Sequence, residues 1–221
     1  MVSERKVVLV TGASKRIGLA IANRLEEEGW QVARHGRASG EFAADLERVS
    51  EIERLFREVH AKYGRLDALV NNAARFTKFD PLQITEADWD YIHSVNLKAV
   101  FFCCQQAAKL MPDGGRIVNL SSLGGLRPWA DHAHYCASKA GVIMLTKALA
   151  KAWAPKLTVN SVAPGVIPFE SQDARVLSLI QQTPAGRGGE ADEVARAVSF
   201  FLTAPDYITG QVLSVAGGLG L

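Results

Sequence analysis

The chain is poor in cysteine and in charge of one sign, and it has neither a long apolar run nor a low-complexity segment. Its 3 cysteines, two of them adjacent at Cys103 and Cys104, supply neither an even disulfide framework nor a CxxC metal pair, so reduced and buried thiols are expected. Lys and Arg number 25 against 23 Asp and Glu, a formal charge of +2, which is too balanced for a surface built to hold nucleic-acid phosphates or an acidic membrane face. No apolar stretch approaches bilayer length, and Met1-Val-Ser-Glu-Arg-Lys6 enters a short apolar run without an h-region or cleavage site. A cytoplasmic protein without nucleic-acid or membrane partners is expected. No Pro/Gly/Ser-rich linker or repeat divides the 221 residues, and 48% hydrophobic with 22% charged suits a single globular domain over residues 1–221. The histidines His35, His60 and His93 lack metal-ligand spacing, so no metal site is expected.

What is present is an alternation of two patterns. Lys6-Val-Val-Leu-Val10 is a continuous β-branched run suited to a strand buried on both faces, broken at Thr11-Gly12. Ile17, Ala20, Ile21 and Leu25 then fall at helical spacing, Gly29 stands at the C-terminal cap, and Trp30–Arg34 reads as a second strand. Further on come a helix over Val49–Tyr63 ending at Gly64, a strand at Ala68–Asn71, a helix opened by the capping sequence Thr85-Glu-Ala-Asp88, and a long helix around Leu97–Met111. A strand at Arg116–Leu120, a helix over Tyr135–Trp153 and a strand at Thr158–Val162 follow, then amphipathic helices near Asp173–Gln182 and Ala191–Leu202 and a last strand, Gln211–Val215. Strands alternating with helices predict one doubly wound α/β domain with a parallel sheet covered on both faces. One connection is short. Between Arg34 and the strand-like Glu41–Ala44 too few residues remain for the usual parallel crossover, so a helix is missing there.

Thr11-Gly-Ala-Ser-Lys-Arg-Ile-Gly18 sits at the first strand-to-helix turn, where glycines let backbone approach a phosphate and a helix N-terminus supplies free N–H groups. The place about 20 residues past such a motif carries an acid when NAD is bound and a base when NADP is bound. Here it holds Arg34-His-Gly-Arg37, with Lys15 and Arg16 in the loop itself, which predicts NADP(H). Tyr135 and Lys139 stand four apart on one helix face, where an ammonium can lower a phenol's pKa and make it a working proton donor. Ser122 follows a strand at the ligand-binding edge of the sheet, and Asn72 and Asn96 flank the same edge.

Together these residues resemble the short-chain dehydrogenases/reductases over nearly the whole chain, a Rossmann-like family: Thr11-Gly-x-x-x-x-x-Gly18, Asp45, Asn71-Asn-Ala-Ala74, Asn96 in Ser94-Val-Asn-Leu97, Ser122, Tyr135-x-x-x-Lys139 and Pro164-Gly165. The resemblance implies that Tyr135 is the general acid/base, Lys139 lowers its pKa and binds the nicotinamide ribose, Ser122 orients the substrate carbonyl, and Asn96 holds a water of the proton relay. It implies cofactor contacts from Gly12, Ser14, Lys15, Arg16, Ile17, Gly18, Arg34, His35, Arg37, Asp45, Leu46, Asn72, Ala73, Ala74, Tyr135, Lys139, Pro164, Gly165 and Ile167. It implies, too, a homodimer or tetramer paired through the Leu97–Met111 and Tyr135 helices, acting on a small or medium carbonyl or alcohol, 3-oxoacyl thioesters included. Departures from the family are Arg16 at a usual glycine, as in pteridine reductases, Phe169 at a usual threonine, Ala216 at a common acid, and the missing crossover helix shared with dihydropteridine reductases. These keep a pteridine or dihydropteridine reductase open as a second reading. A dinucleotide-sensing protein without catalysis, or an isomerase or dehydratase on the same fold, is a rival of another class. Phe76, Trp129, His132, His134 and Phe169 border the inferred site.

Overall fold

The structure, a computed structural model, describes residues 4–169 and 174–221. Its first strand is β1 (Val7–Val10), whose residues are all fully buried, as an apolar run covered on both faces requires. The chain then forms α1 (Arg16–Glu27), β2 (Gln31–Gly36), β3 (Phe42–Ala43), α2 (Val49–Tyr63) and β4 (Ala68–Asn71). Next come α3 (Glu86–His93), α4 (Val100–Leu110), β5 (Gly115–Leu120), α5 (Ala133–Trp153), β6 (Leu157–Pro164), α6 (Ala174–Gln182), α7 (Ala191–Thr203) and β7 (Val212–Val215). The seven strands make one parallel sheet in the order β3-β2-β1-β4-β5-β6-β7. The chain winds outward from β1 to β3 and then returns to place β4 on the other side of β1. That reversal opens a crevice beyond the carboxyl ends of β1 and β4, where doubly wound sheets bind ligands.

Two apolar layers flank the sheet. One packs Leu9, Ile117 and Val159 against Ile52 and Phe56 of α2, Cys103 and Cys104 of α4, and Val142 of α5. The other packs Val8, Val10 and Val118 against Ile21 and Leu25 of α1 and Val194, Val198 and Phe201 of α7. Both adjacent thiols are buried and reduced, and burial raises the pKa of each, that of Cys104 to about 12.

Only bends and a turn fill the passage from β2 to β3. A parallel neighbour can follow without a crossover helix because β3 is 2 residues long and pairs with the very end of β2, His35 with Phe42 and Gly36 with Ala43. Gly36 makes the return possible, since a Cβ there would stand 2.5 Å from the Ser39 carbonyl oxygen.

The sequence-predicted helix at Leu97–Met111 differs from what forms. The helical path runs on from α3 through a stretch of wider π-type turns, Ser94–Ala99, into α4, and Met111 already lies outside it. The widened turns include Asn96, whose side chain exchanges two hydrogen bonds with the backbone of Arg75: Arg75 N–H donates to Asn96 Oδ1 at 2.7 Å, and Asn96 Nδ2 donates to the Arg75 carbonyl at 2.9 Å. Such π-bulges are found at functional sites. The helix predicted near Asp173–Gln182 is α6, described over Ala174–Gln182, and Asp173 itself lies outside the described residues.

Candidate active site

Two adjoining cavities occupy the crevice. The first, about 530 Å³, lies over the turn from β1 to α1. Thr11 and Asn72 build its floor. Thr11 Oγ1 accepts hydrogen bonds from the N–H groups of Asn72 and Ala73 at 3.0 and 3.1 Å, while Asn72 Nδ2 donates back to the carbonyls of Thr11 and Gly12 at 2.9 and 3.0 Å. Gly18 must be a glycine for this to close, because a Cβ would stand 2.1 Å from the Gly12 oxygen and 2.4 Å from Asn72 Nδ2. Gly12 N–H donates to His35 Nδ1 at 3.1 Å, which assigns the ring proton to Nε2, 3.0 Å from the Ala44 carbonyl it donates to. Burial lowers the His35 pKa, in keeping with that neutral tautomer.

The N-terminus of α1 has no side-chain cap and no acid in its first turn, and Lys15 and Arg16 stand beside it. Uncapped N–H groups, positive dipole and two cations give this place a potential that favours an anion. Gly12, Ser14, Lys15, Arg16, Ile17, Gly18, His35, Arg37, Asp45, Leu46, Asn72, Ala73 and Ala74 all line this cavity. Arg34 does not. Alternation along β2 sends its side chain away from the cavity, where it forms an ion pair with Glu26 at 2.8 Å and donates to Asn23 at 2.7 Å. Arg37, by contrast, is mostly exposed at the cavity rim and meets Glu47 at 3.4 Å.

The second cavity, about 820 Å³, holds Ser122, Tyr135 and Lys139 together with Pro164, Gly165 and Ile167. Ile17, Asn72, Ala74, Phe76 and Phe169 line both cavities, so the two adjoin along a shared wall. Ser122 caps a single 3₁₀ turn after β5, its Oγ accepting from Gly124 N–H at 3.1 Å. Tyr135 and Lys139 lie in the first turns of α5, both buried, and Lys139 Nζ donates to the Leu120 carbonyl at 2.8 Å. Burial pushes the Tyr135 phenol up to about 12, against an opposing hydrogen bond with Ser122, and pushes Lys139 down to about 8. Desolvation dominates both groups, and the ammonium is 6.0 Å from the centre of the Tyr135 ring.

Asn96 lines neither cavity. It is fully buried, and besides its two bonds to Arg75 it donates to Ser138 Oγ at 3.2 Å, which in turn donates to the Tyr135 carbonyl at 2.7 Å. His134 is fully buried as well, with Nε2 at 2.6 Å from Thr77 Oγ1. Phe76, Trp129, His132 and Phe169 do face the second cavity.

Arg75 and Tyr91 line the first cavity and were not singled out from the sequence. The Arg75 guanidinium lies 3.7 Å from the centre of the Tyr91 ring, pairs with Glu47 and donates to the Tyr91 carbonyl at 2.9 Å. Adjacency of Arg75 to Asn71-Asn-Ala-Ala74 was the one available signal; nothing local marks Tyr91. At the mouth, Arg16 and Phe169 both have left-handed backbones, φ 54° and 41°, and the guanidinium sits 5.3 Å from the ring centre. Arg16 thus carries the φ > 0 that a glycine at this position supplies without cost, and side chains held in such conformations cluster at functional sites.

A doubly wound parallel sheet with an uncapped, cation-flanked helix start and a buried Ser, Tyr and Lys in adjoining cavities at its carboxyl edge defines a Rossmann-like oxidoreductase. The chain belongs to the short-chain dehydrogenase/reductase family. A family model described as enoyl-(acyl carrier protein) reductase matches residues 12–220. The chain is similar to a 3-oxoacyl-(acyl-carrier-protein) reductase of Staphylococcus aureus, 38% identical across 97% of this chain and 98% of that one. It is also similar to the 2-dehydro-3-deoxy-D-gluconate 5-dehydrogenase of Escherichia coli, 32% identical over 97% and 95% of the two chains. Among solved structures, a short-chain dehydrogenase/reductase from Serratia marcescens superposes with a TM-score of 0.93 at 34% identity, covering 98% of each chain. The ligand-free aldohexose dehydrogenase of Thermoplasma acidophilum gives 0.89 at 31%, covering 97% of this chain and 94% of that one.

Proposed function

We propose that this short-chain dehydrogenase/reductase is an NADP(H)-dependent enzyme that reduces a small or medium carbonyl compound, 3-oxoacyl thioesters included, or oxidises the matching alcohol. The observation that carries the reading is adjacency. Ser122, Tyr135 and Lys139 face a cavity that shares a wall with the one over the uncapped, cation-flanked N-terminus of α1. The donor set fits a dinucleotide phosphate group: free N–H groups at a helix start, Lys15 and Arg16 beside them, and Arg37 exposed at the rim for a 2′-phosphate.

A bound nicotinamide cofactor supplies or accepts the hydride. In reduction, the Tyr135 hydroxyl gives its proton to the carbonyl oxygen as the carbon gains hydride, and Ser122 orients that oxygen by donating a hydrogen bond to it. Lys139 carries positive charge beneath the phenol, favouring loss of its proton at the moment of transfer. Through Ser138 and Arg75, Asn96 holds the start of α5 and the wall after β4 in register. A homodimer or tetramer paired through α4 and α5, in the cytoplasm, completes the reading; the exposed Met144 on α5 suits such a contact.

The test is NADPH oxidation against a panel of ketones, 3-oxoacyl thioesters, quinones and pterins. Turnover of a carbonyl compound, abolished in Tyr135→Phe, is the expected result. Arg16 is the one residue favouring a pteridine-reducing enzyme, and a kcat/KM for dihydropterins above that of every ketone and thioester tested would establish that instead.

A further inference from the structure

The wall of the second cavity beside Tyr135 is made of rings. The Trp129 indole lies 13° from parallel to the Tyr135 ring, with centroids 6.0 Å apart. Phe76 stands at 89° to Tyr135 at 4.8 Å and at 83° to Trp129 at 6.5 Å, forming a right-angled corner. Secondary contacts hold that corner in place. His132 stacks on Phe76 at 4.6 Å and anchors its Nδ1 2.9 Å from the Thr77 carbonyl, while the indole is seated on Gly124, where a Cβ would stand 3.2 Å from the ring. Even so, Phe76 is 60% exposed and Phe169, across the cavity, 37% exposed. These are large apolar faces turned toward the place a substrate must enter.

From this geometry we infer that the substrate carries its reacting carbonyl on, or directly beside, a flat uncharged carbocyclic ring, and that Trp129 and Phe76 select it. The inference rests on the carbonyl-reducing reading above and names its substrate class. Fixed rings reward a flat rigid partner twice, by stacking contact and by the absence of torsions to freeze, whereas a linear acyl chain gains less from each. The gap between Trp129 and Tyr135 is too narrow to admit a further ring, which needs about 7 Å between outer planes, so the substrate ring lies in the corner that Phe76 closes. Charge disfavours an ionic group here. Among the described side chains lining the cavity, Lys78 and Asp131 pair with each other at 3.2 Å, and Lys139 is committed to the Leu120 carbonyl. A heteroatom-rich ring such as a pterin would need a row of open donors and acceptors that this aromatic corner does not present.

The experiment compares kcat/KM with NADPH for a bicyclic aryl ketone, tetralone, against the N-acetylcysteamine thioester of a linear 3-oxo acid, in the wild type, Trp129→Ala and Phe76→Leu. Titration calorimetry of tetralone into the NADP⁺-saturated protein gives a readout apart from turnover. The wild type should favour tetralone, and either substitution should lower the tetralone-to-thioester ratio about tenfold and weaken tetralone binding in step. Phe76→Leu serves where Trp129→Ala fails to fold, because the Phe76 ring is largely exposed. A wild type that prefers the linear thioester, or variants that leave the ratio unchanged, would overturn the inference while leaving the carbonyl-reducing reading intact. Oxidation of NADPH by neither substrate, nor by any carbonyl of the panel, would overturn both.

Discussion

Lys139 donates from its ammonium to the carbonyl of Leu120, 2.8 Å away, and from there stands 6.0 Å from the centre of the Tyr135 ring. Both groups are buried, and burial drives their pKa values apart, Lys139 down to about 8 and Tyr135 up to about 12. The sign of the pH dependence follows. A lowered lysine loses its proton as pH rises through about 8, and the phenol keeps its own until about 12. For carbonyl reduction, which needs a protonated Tyr135 and a charged Lys139, kcat/KM should therefore be level on the acid side and fall above about pH 8. Alcohol oxidation, which needs the phenolate beside a charged Lys139, should rise with pH up to about 8 and level off above it, where each gain in phenolate is offset by loss of the ammonium charge. A reduction profile that stays level to pH 10 would remove Lys139 from the mechanism.

Graded losses should separate the three side chains. Tyr135→Phe deletes the proton donor and should nearly abolish turnover, whereas Ser122→Ala should lower kcat by roughly 100-fold as an orienting hydrogen bond disappears. Lys139→Met should weaken cofactor binding and erase the alkaline limb of the profile. Steady-state kinetics across pH distinguishes these, and near-normal turnover in Tyr135→Phe would sink the assignment.

Cofactor choice can be read from two arginines placed differently by one strand. Arg37 stands at the cavity rim, while Arg34 is tied to Glu26 and Asn23 on the outer side. NADPH should bind more tightly than NADH. Arg37→Ala should weaken NADPH about tenfold with little change for NADH, since a charge-assisted phosphate contact is worth about 1.5 kcal/mol or more. Arg34→Ala, which breaks only exposed contacts to Glu26 and Asn23, should leave both affinities within about twofold. Fluorescence titration of the two cofactors against the two variants decides it, and equal wild-type affinities would refute the 2′-phosphate reading.

The turn from β1 to α1 is packed tightly at Gly18, against the Gly12 carbonyl and the Asn72 side chain. Gly18→Ala forces a methyl to within 2.1 Å of the Gly12 oxygen and 2.4 Å of Asn72 Nδ2, so the turn must part from the end of β4. Overpacking of this kind costs about 1–3 kcal/mol, and cofactor affinity should fall with it because the same turn presents the helix N-terminus. A melting temperature and a dinucleotide Kd matching the wild type would show that the turn is looser than its contacts indicate.

Periodicity and punctuation were enough to place most elements from sequence. The helix at Val49–Tyr63 with its Gly64 cap and the strand at Ala68–Asn71 stand as predicted, because each is long or apolar enough for local pattern to coincide with tertiary burial. The short link after β2 was legible for a related reason: counting residues between two strand-like runs leaves no room for a helix. The motifs also marked which residues crowd the crevice, since a strand's carboxyl end and the turn after it are fixed once the strand is.

Tertiary structure alone decided the rest. Arg34 and Arg37 look equivalent in the sequence, yet strand alternation and an acceptor on α1, Glu26, turn one away from the cavity and leave the other at its rim. The helix around Leu97 reads as regular from its spacing, but the exchange of hydrogen bonds between Asn96 and Arg75, 21 residues apart in the chain, accompanies widened turns there. Spacing could place Tyr135 and Lys139 on one face; it could not say that both would be dehydrated, and dehydration sets the direction of their pKa shifts. The aromatic corner of Phe76, Trp129 and Tyr135 is likewise assembled from segments far apart in the chain, so its right angle exists only once the sheet has brought them together.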